Sequence, residues 1–304
     1  LDDATIAPVF TALPQLASAP DLAWEVVPGG ITNRNYLITA SGERYFARLS
    51  DPTTAALGID RVVEVAANRA AARAGIAPEV IAARPEDGCL VMRFVDGRPI
   101  VPEEMREPAT LRRVIASVKA FHDSPAIPGT FSAFRVVEDY LEEAAARGVP
   151  HPSAYGGLIG RARAIEEAFA ANSVAPRPCH NDLLNANFIL TGERVVIVDY
   201  EYAGMGDLFF DLGNMSVNNG FDEAADDALL ELYFGEVSAA RRARLKLMRI
   251  MSDFREAMWG HLQRALSSLD FDYEGYAHEH FERCDQQARD RRYERWLSDA
   301  AGWV

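Results

Sequence analysis

Lysine is almost missing from this chain of 304 residues: it stands only at Lys119 and Lys246, and arginine supplies the other basic side chains. Any cationic role in the first hundred residues therefore falls to arginine. Cysteine is scarce too. Cys89, Cys179 and Cys284 are odd in number and lack Cys-x-x-Cys spacing, which argues against a disulfide framework or a zinc site and predicts three small buried residues. No apolar run approaches the roughly eighteen residues of a membrane span, so no membrane insertion is expected. Positive charge is short as well: a net charge of −14 disfavours nucleic acid and anionic membranes as partners. Such an acidic balance suits a cationic substrate, or merely maintains solubility. Repeats and low-complexity tracts are lacking. The acidic opening Leu1-Asp2-Asp3-Ala4 is unlike a secretory or mitochondrial leader, and the expected location is the cytoplasm.

What is present fits a soluble protein. Hydrophobic residues make up 49% and charged residues 25%, and the length allows one large domain or two lobes. The informative stretch runs from Cys179 to Asp199. Two short β-like runs, Phe188 to Leu190 and Val195 to Val198, flank a Thr191-Gly192 turn, so a loop enters a small hairpin. A hairpin brings its ends together. Asp182 and Asn187 then share one mouth with Asp199, and their three oxygen-bearing side chains suit a hard cation.

Upstream, Trp24 to Val27 and Tyr36 to Thr39 read as strands around a loop holding Gly29, Gly30, Thr32 and Asn33, where paired glycines let backbone amides approach an anion. A third strand, Arg44 to Leu49, follows. A helix opens near Asp60, carries Glu64 in its first turn and stops at Gly75. Ile76 to Ile81 and Cys89 to Val95 complete the strands. Beyond residue 100 the pattern turns helical, with Leu111, Val114, Ile115, Val118 and Phe121 on one face. Further helices are expected at about 136–147 and 158–171.

The order His180-x-Asp182-x-x-x-x-Asn187 followed by Asp199 resembles the catalytic core of protein-kinase-like phosphotransferases. Asn181 stands where protein kinases have arginine, and Tyr200-Glu201 where they have Phe-Gly. Both departures resemble the small-molecule branch, the aminoglycoside phosphotransferases and choline kinases. Asp199-Tyr200-Glu201-Tyr202 with Asp211-Leu212-Gly213-Asn214, then Met258-Trp259-Gly260 and Phe271 to Ala277, are most similar to the choline/ethanolamine kinase family.

That resemblance implies an α+β, two-lobed protein-kinase-like fold: a small antiparallel β-rich lobe at 1–96 and a larger, mostly helical lobe at 97–304. It implies ATP and Mg2+ as cofactors. Asp182 would accept the proton of the substrate hydroxyl, and Asn187 and Asp199 would hold magnesium. Arg48 would replace the strand lysine against the phosphates, with Glu64 orienting it. Gly29, Gly30, Thr32 and Asn33 would cover the phosphates, and Arg93, Phe94 and Val95 would form the hinge beside adenine. His122 is expected to be structural and Asp211 to brace the catalytic loop.

A quaternary ammonium offers no conventional N–H donor, so its recognition relies on aromatic faces, and Tyr202, Trp259, Tyr273 and Tyr276 could supply them. The expected activity is phosphorylation of a small cationic alcohol, most directly choline. Leu262 replaces a second tryptophan of the eukaryotic choline kinases, and Val217-Asn218-Asn219 stands where they have a carboxylate. Both departures keep ethanolamine open as acceptor. An aminoglycoside or thiamine phosphotransferase and a catalytically dead nucleotide-binding module stand as rival readings, and a homodimer is left open.

Overall fold

The computed structural model describes residues 3–28, 33–192, 194–267 and 269–302. Five strands form one antiparallel sheet in the order β1-β2-β3-β5-β4: β1 Ala23–Val27, β2 Asn33–Ala40, β3 Glu43–Ser50, β4 Val80–Arg84 and β5 Cys89–Arg93. Side chains alternate between its faces. Tyr36, Ile38, Ala47 and Val91 pack on one face with Ile6 and Val9 of the helix Asp3–Ala12. Leu90 and Met92, with Phe46 against them, pack on Val65 of the helix Arg61–Arg73. By the same alternation Arg48 joins Phe46 on the face of that helix and the cleft.

The helix starts where expected. The Asp60 carboxylate accepts from the N–H groups of Val62 at 2.8 Å and Val63 at 3.2 Å. The fourth strand is a correction: it occupies Val80–Arg84 rather than 76–81. Pro78 has no N–H to donate, and the Ile76 carbonyl instead accepts from Ile197 N–H at 2.7 Å, so this stretch ties the two lobes.

The chain crosses between the lobes after β5. β6 Arg98–Pro99 pairs with β8 Phe188–Thr191, which pairs with β9 Arg194–Ile197, while β7 Arg177–Cys179 pairs with β10 Gly204–Gly206. Gly97 passes hard against β8; a Cβ there would lie 2.6 Å from the Ile189 side chain and 2.7 Å from the Leu190 carbonyl oxygen. The rest is mainly helical, including Pro108–His122, Ala133–Ala146, Tyr155–Ala170, Leu208–Asn218 and Ala239–Leu266. The second and third begin about one turn earlier than the apolar pattern alone suggests. All three cysteines are buried and free. Among the described residues no helix is long and apolar enough to cross a membrane.

Helix Ala239–Leu266 spans about 42 Å at the usual rise and forms the spine of this lobe. From Ile250 to Gln263 every residue is buried, so its polar side chains must find partners inside. Helix Leu208–Asn218 crosses it closely. A Cβ on Gly213 would lie 2.7 Å from the Met248 carbonyl carbon and 2.8 Å from the Arg249 nitrogen. Backbone cannot rotate away, so the helices must part. Gly213→Ala is expected to destabilise the protein by about 1–3 kcal/mol, read as a lower denaturation midpoint at unchanged slope.

Candidate active site

The loop after β7 is held by acceptors that meet its backbone. Asp211, at the start of helix Leu208–Asn218, accepts from the His180 N–H at 2.8 Å and the Asn181 N–H at 2.6 Å. One turn on, Asn214 Oδ1 accepts from the Leu183 N–H at 2.6 Å, and its amide donates to Ser252 Oγ at 3.0 Å. These bonds consume donors that the irregular loop would otherwise bury unpaired. His122 Nε2 lies 2.9 Å from Asp211 Oδ2, and Tyr233 O–H lies 2.7 Å from its Nδ1. Both residues are buried, and their position supports the loop rather than the cavity. Cys179 is also near, but burial pushes its thiol well up, which disfavours the thiolate a metal would need.

His180 is a strut. Nε2 donates to the Val198 carbonyl at 3.0 Å, and Nδ1 accepts from the Asp182 N–H at 3.2 Å, a pattern only the neutral ring with its proton on Nε2 satisfies. Burial lowers its pKa in agreement. Asn181 and Asp199 both take positive φ, 65° and 71°, a conformation short polar side chains accept more readily than bulky ones. Asn181 Nδ2 donates to the Tyr202 carbonyl at 3.0 Å, linking the loop to the segment after β9.

Asp182, Asn187 and Asp199 line one cavity of about 730 Å³, a size suited to a small-molecule site. Asn187 Nδ2 donates to the Asp182 carbonyl at 2.8 Å, which leaves its amide oxygen for a hard cation. Burial, reinforced by the neighbouring Glu256, Asp199 and Glu201 carboxylates, raises the Asp182 carboxyl to about 8 against the opposing pull of Arg255.

Arg48 is buried at the centre of an ion-pair network. It touches Glu64 and Asp199 and lies 3.9 Å from Glu201. Arg61 reinforces it, 2.8 Å from Glu64 and 3.3 Å from Glu201, with a further bond of 2.8 Å to Thr54 Oγ1. Asn33 donates to Glu201 at 3.0 Å. Arg61 is a cation that sequence reasoning missed; an arginine opening an exposed-looking helix carries no signal of burial. Gly29, Gly30 and Thr32 lie outside the described residues.

The apolar lining of the cavity comes from Phe46, Pro78, Met92, Leu184, Ile189 and Val198, and Arg93, Phe94 and Val95 line it too. The Arg93 and Phe94 N–H groups already donate to Glu79 at 2.9 Å and Arg44 at 3.0 Å. The Arg93 side chain turns to Glu43 and Glu79. Arg44, on the same strand face as Arg48, lies over the Phe94 ring at 4.5 Å and pairs with Asp96.

Tyr202, Trp259, Phe271 and Tyr276 line the same cavity. Tyr202 differs from the expectation of an open ring face: the Arg255 guanidinium stacks over it at 4.2 Å, and its hydroxyl accepts from Trp259 Nε1 at 3.0 Å. Tyr273 is placed one ring further back, edge-on to Trp259 at 6.0 Å, with its hydroxyl on Ser267 Oγ at 2.8 Å. Phe271 takes its place in the lining, with its ring centroid 6.0 Å from that of Tyr276; Trp259 is 5.7 Å from Tyr276. Arg255 and Glu256 are two further members that sequence reasoning missed.

Residues 23–247 match the family described as Phosphotransferase enzyme family. A choline/ethanolamine kinase family protein from Mesorhizobium loti, known from its crystal structure, is 32% identical and superposes with a TM-score of 0.83, covering 99% of both chains. Choline kinase LicA from Streptococcus pneumoniae gives a TM-score of 0.79 at 20% identity, over 93% of this chain and 98% of that one, a likeness of fold. Protein LicA from Haemophilus influenzae is 25% identical over 245 residues, 76% of this chain and 70% of its own length.

Proposed function

The chain belongs to the phosphotransferase enzyme family and, within it, to the choline/ethanolamine kinases, and from this we propose that it moves the γ-phosphoryl group of ATP to the hydroxyl of choline. Its two-lobed kinase-like fold and its class, a phosphotransferase acting on an alcohol, come with that membership. We assign residues 1–96 to the lobe covering ATP and 97–304 to the lobe binding the acceptor.

The observation that carries the reading is that a corner of three rings, Trp259, Tyr276 and Phe271, shares one cavity with Asp182. Ring faces attract a trimethylammonium group, which has no N–H to offer a carboxylate. Asp182 orients the hydroxyl and takes its proton as the new O–P bond forms and the bond from the γ-phosphorus to the bridging oxygen breaks, releasing ADP. Arg48 faces the phosphates, held in place by Glu64 and, through Glu201, by Arg61. Val95 supplies the hinge backbone beside adenine, since the neighbouring N–H groups are committed within the sheet. The Asn187 amide oxygen and the Asp199 carboxylate fit magnesium, which when bound neutralises phosphate charge. Catalysis on this account is positioning plus electrostatic stabilisation.

Ethanolamine is the second reading. It is favoured by the covered face of Tyr202 and by the Glu256 carboxylate, because a primary ammonium requires acceptors. Trp259→Ala separates the two. Its expected effect is a rise of about tenfold or more in KM for choline and less than about threefold for ethanolamine, given the strength of a desolvated cation–ring contact. Equal losses with both acceptors would remove the ring corner from substrate recognition. The function itself is tested by magnesium-dependent ADP release with choline, ethanolamine, thiamine and kanamycin offered separately. Release with thiamine or kanamycin alone would discard the reading.

A further inference from the structure

The Arg255-Glu256 pair lies at the junction of the base and the ring corner. A single guanidinium nitrogen, Arg255 Nη1, hydrogen-bonds Glu256 Oε1 and stands 3.6 Å from Asp182 Oδ1. The other oxygen of Glu256 accepts from Tyr276 O–H at 2.9 Å, so the carboxylate is pinned beneath the ring that closes the corner. Asp182, Arg255 and Glu256 are all buried and all line the cavity. Two carboxylates thus share one cation. With Asp182 ionised, as it must be to take a proton, one negative charge is left unmatched in a setting where that is unfavourable.

We propose that Glu256 is the counter-charge for the ammonium group of the acceptor and sets the enzyme's preference for a cationic over a neutral alcohol. This rests on the reading above that the acceptor is a small amino alcohol, and holds for either choline or ethanolamine. Carboxylates bridged by one nitrogen can be no further apart than its two contacts combined, about 6 Å here. A two-carbon amino alcohol separates its oxygen and nitrogen by about 3–4 Å, so its hydroxyl meets Asp182 while its ammonium lies between Glu256 and the rings. Arg255 stays beside Asp182 in that state, held on the Tyr202 ring at 4.2 Å. A cation at Glu256 thus competes with Arg255 for that carboxylate and leaves the guanidinium to Asp182.

The test compares choline with its neutral carbon isostere, in which tert-butyl replaces trimethylammonium, as acceptors for wild-type protein and Glu256→Gln. Any disturbance of the base or of the nucleotide site alters both acceptors alike and cancels in the ratio of their kcat/KM values. The expected result is a fall of at least about tenfold in that ratio, through the choline term. Should the variant not fold, as judged by circular dichroism, Glu256→Asp keeps the charge but withdraws it by one methylene, and a smaller fall is expected. An unchanged ratio in a folded variant overturns the proposal alone. Wild-type protein silent with choline and ethanolamine overturns the function proposed above and this inference with it.

Discussion

Asp182→Asn is expected to abolish turnover while making the protein harder to unfold. Loss of the base proposed above is expected to remove about 10²–10⁴-fold in kcat, measured as ADP release at saturating acceptor. The gain in stability follows from the raised carboxyl, at about 8. Between the unfolded value near 4 and that folded value, the native protein holds a proton that the unfolded chain has released. Wild-type stability therefore falls as pH rises through this window, and above it the full penalty is present. Asparagine carries no such penalty. The two proteins should unfold alike near pH 4 and diverge toward pH 8 by on the order of a few kcal/mol, less whatever contact with Arg255 is lost. The same group predicts an activity limb: kcat/KM of the wild type rises with pH toward about 8, because only the ionised carboxylate accepts the proton. A variant whose unfolding midpoint tracks the wild type at every pH would refute the buried, proton-retaining Asp182.

The second large effect is expected at Arg48. Arg48→Met keeps the volume of the stem but deletes the cation that touches Glu64 and Asp199 and approaches Glu201. Arg61 remains, yet one guanidinium cannot neutralise the cluster. Breaking a buried pair from one side removes about 3–5 kcal/mol, so the denaturation midpoint should drop sharply at neutral pH. ADP release should fall to background in protein that is still folded, since among the described residues no second cation on this strand face is free to turn toward the cleft; Arg44 is committed to Asp96 and Phe94. The paired variant Arg48→Met/Glu64→Gln tests the cause. It should recover much of the stability and none of the activity, separating burial of charge from service to phosphate.

Some of this was legible because the contacts are local in sequence. The turn between the two strands brings Asp182, Asn187 and Asp199 to one cavity, as the alternation of short apolar runs around Thr191-Gly192 implies. Asp60 caps its helix by a bond to residues two and three positions on, and a short-range rule suffices for that. Absence was informative too: with no lysine before Lys119, the cation on the third strand had to be arginine.

Other features depend on what lies across the molecule. Arg61, Arg255 and Glu256 look like solvent-facing helix residues, because charge on a helix ordinarily marks its wet face. Their burial is decided by the sheet laid over one helix and by neighbours packed around every side of the other. Tyr202 and Tyr273 carry the expected rings, but the spine helix supplies a guanidinium that covers the first, and Trp259 stands in front of the second. The strand expected from Ile76 begins at Val80 since its first carbonyl is claimed by Ile197, more than a hundred residues away. Spacing, capping and the scarcity of lysine made the kinase-like fold readable along the chain. Only the tertiary structure decided which charges share a partner, and that sharing exists because elements distant along the chain exclude water from the same few ångströms.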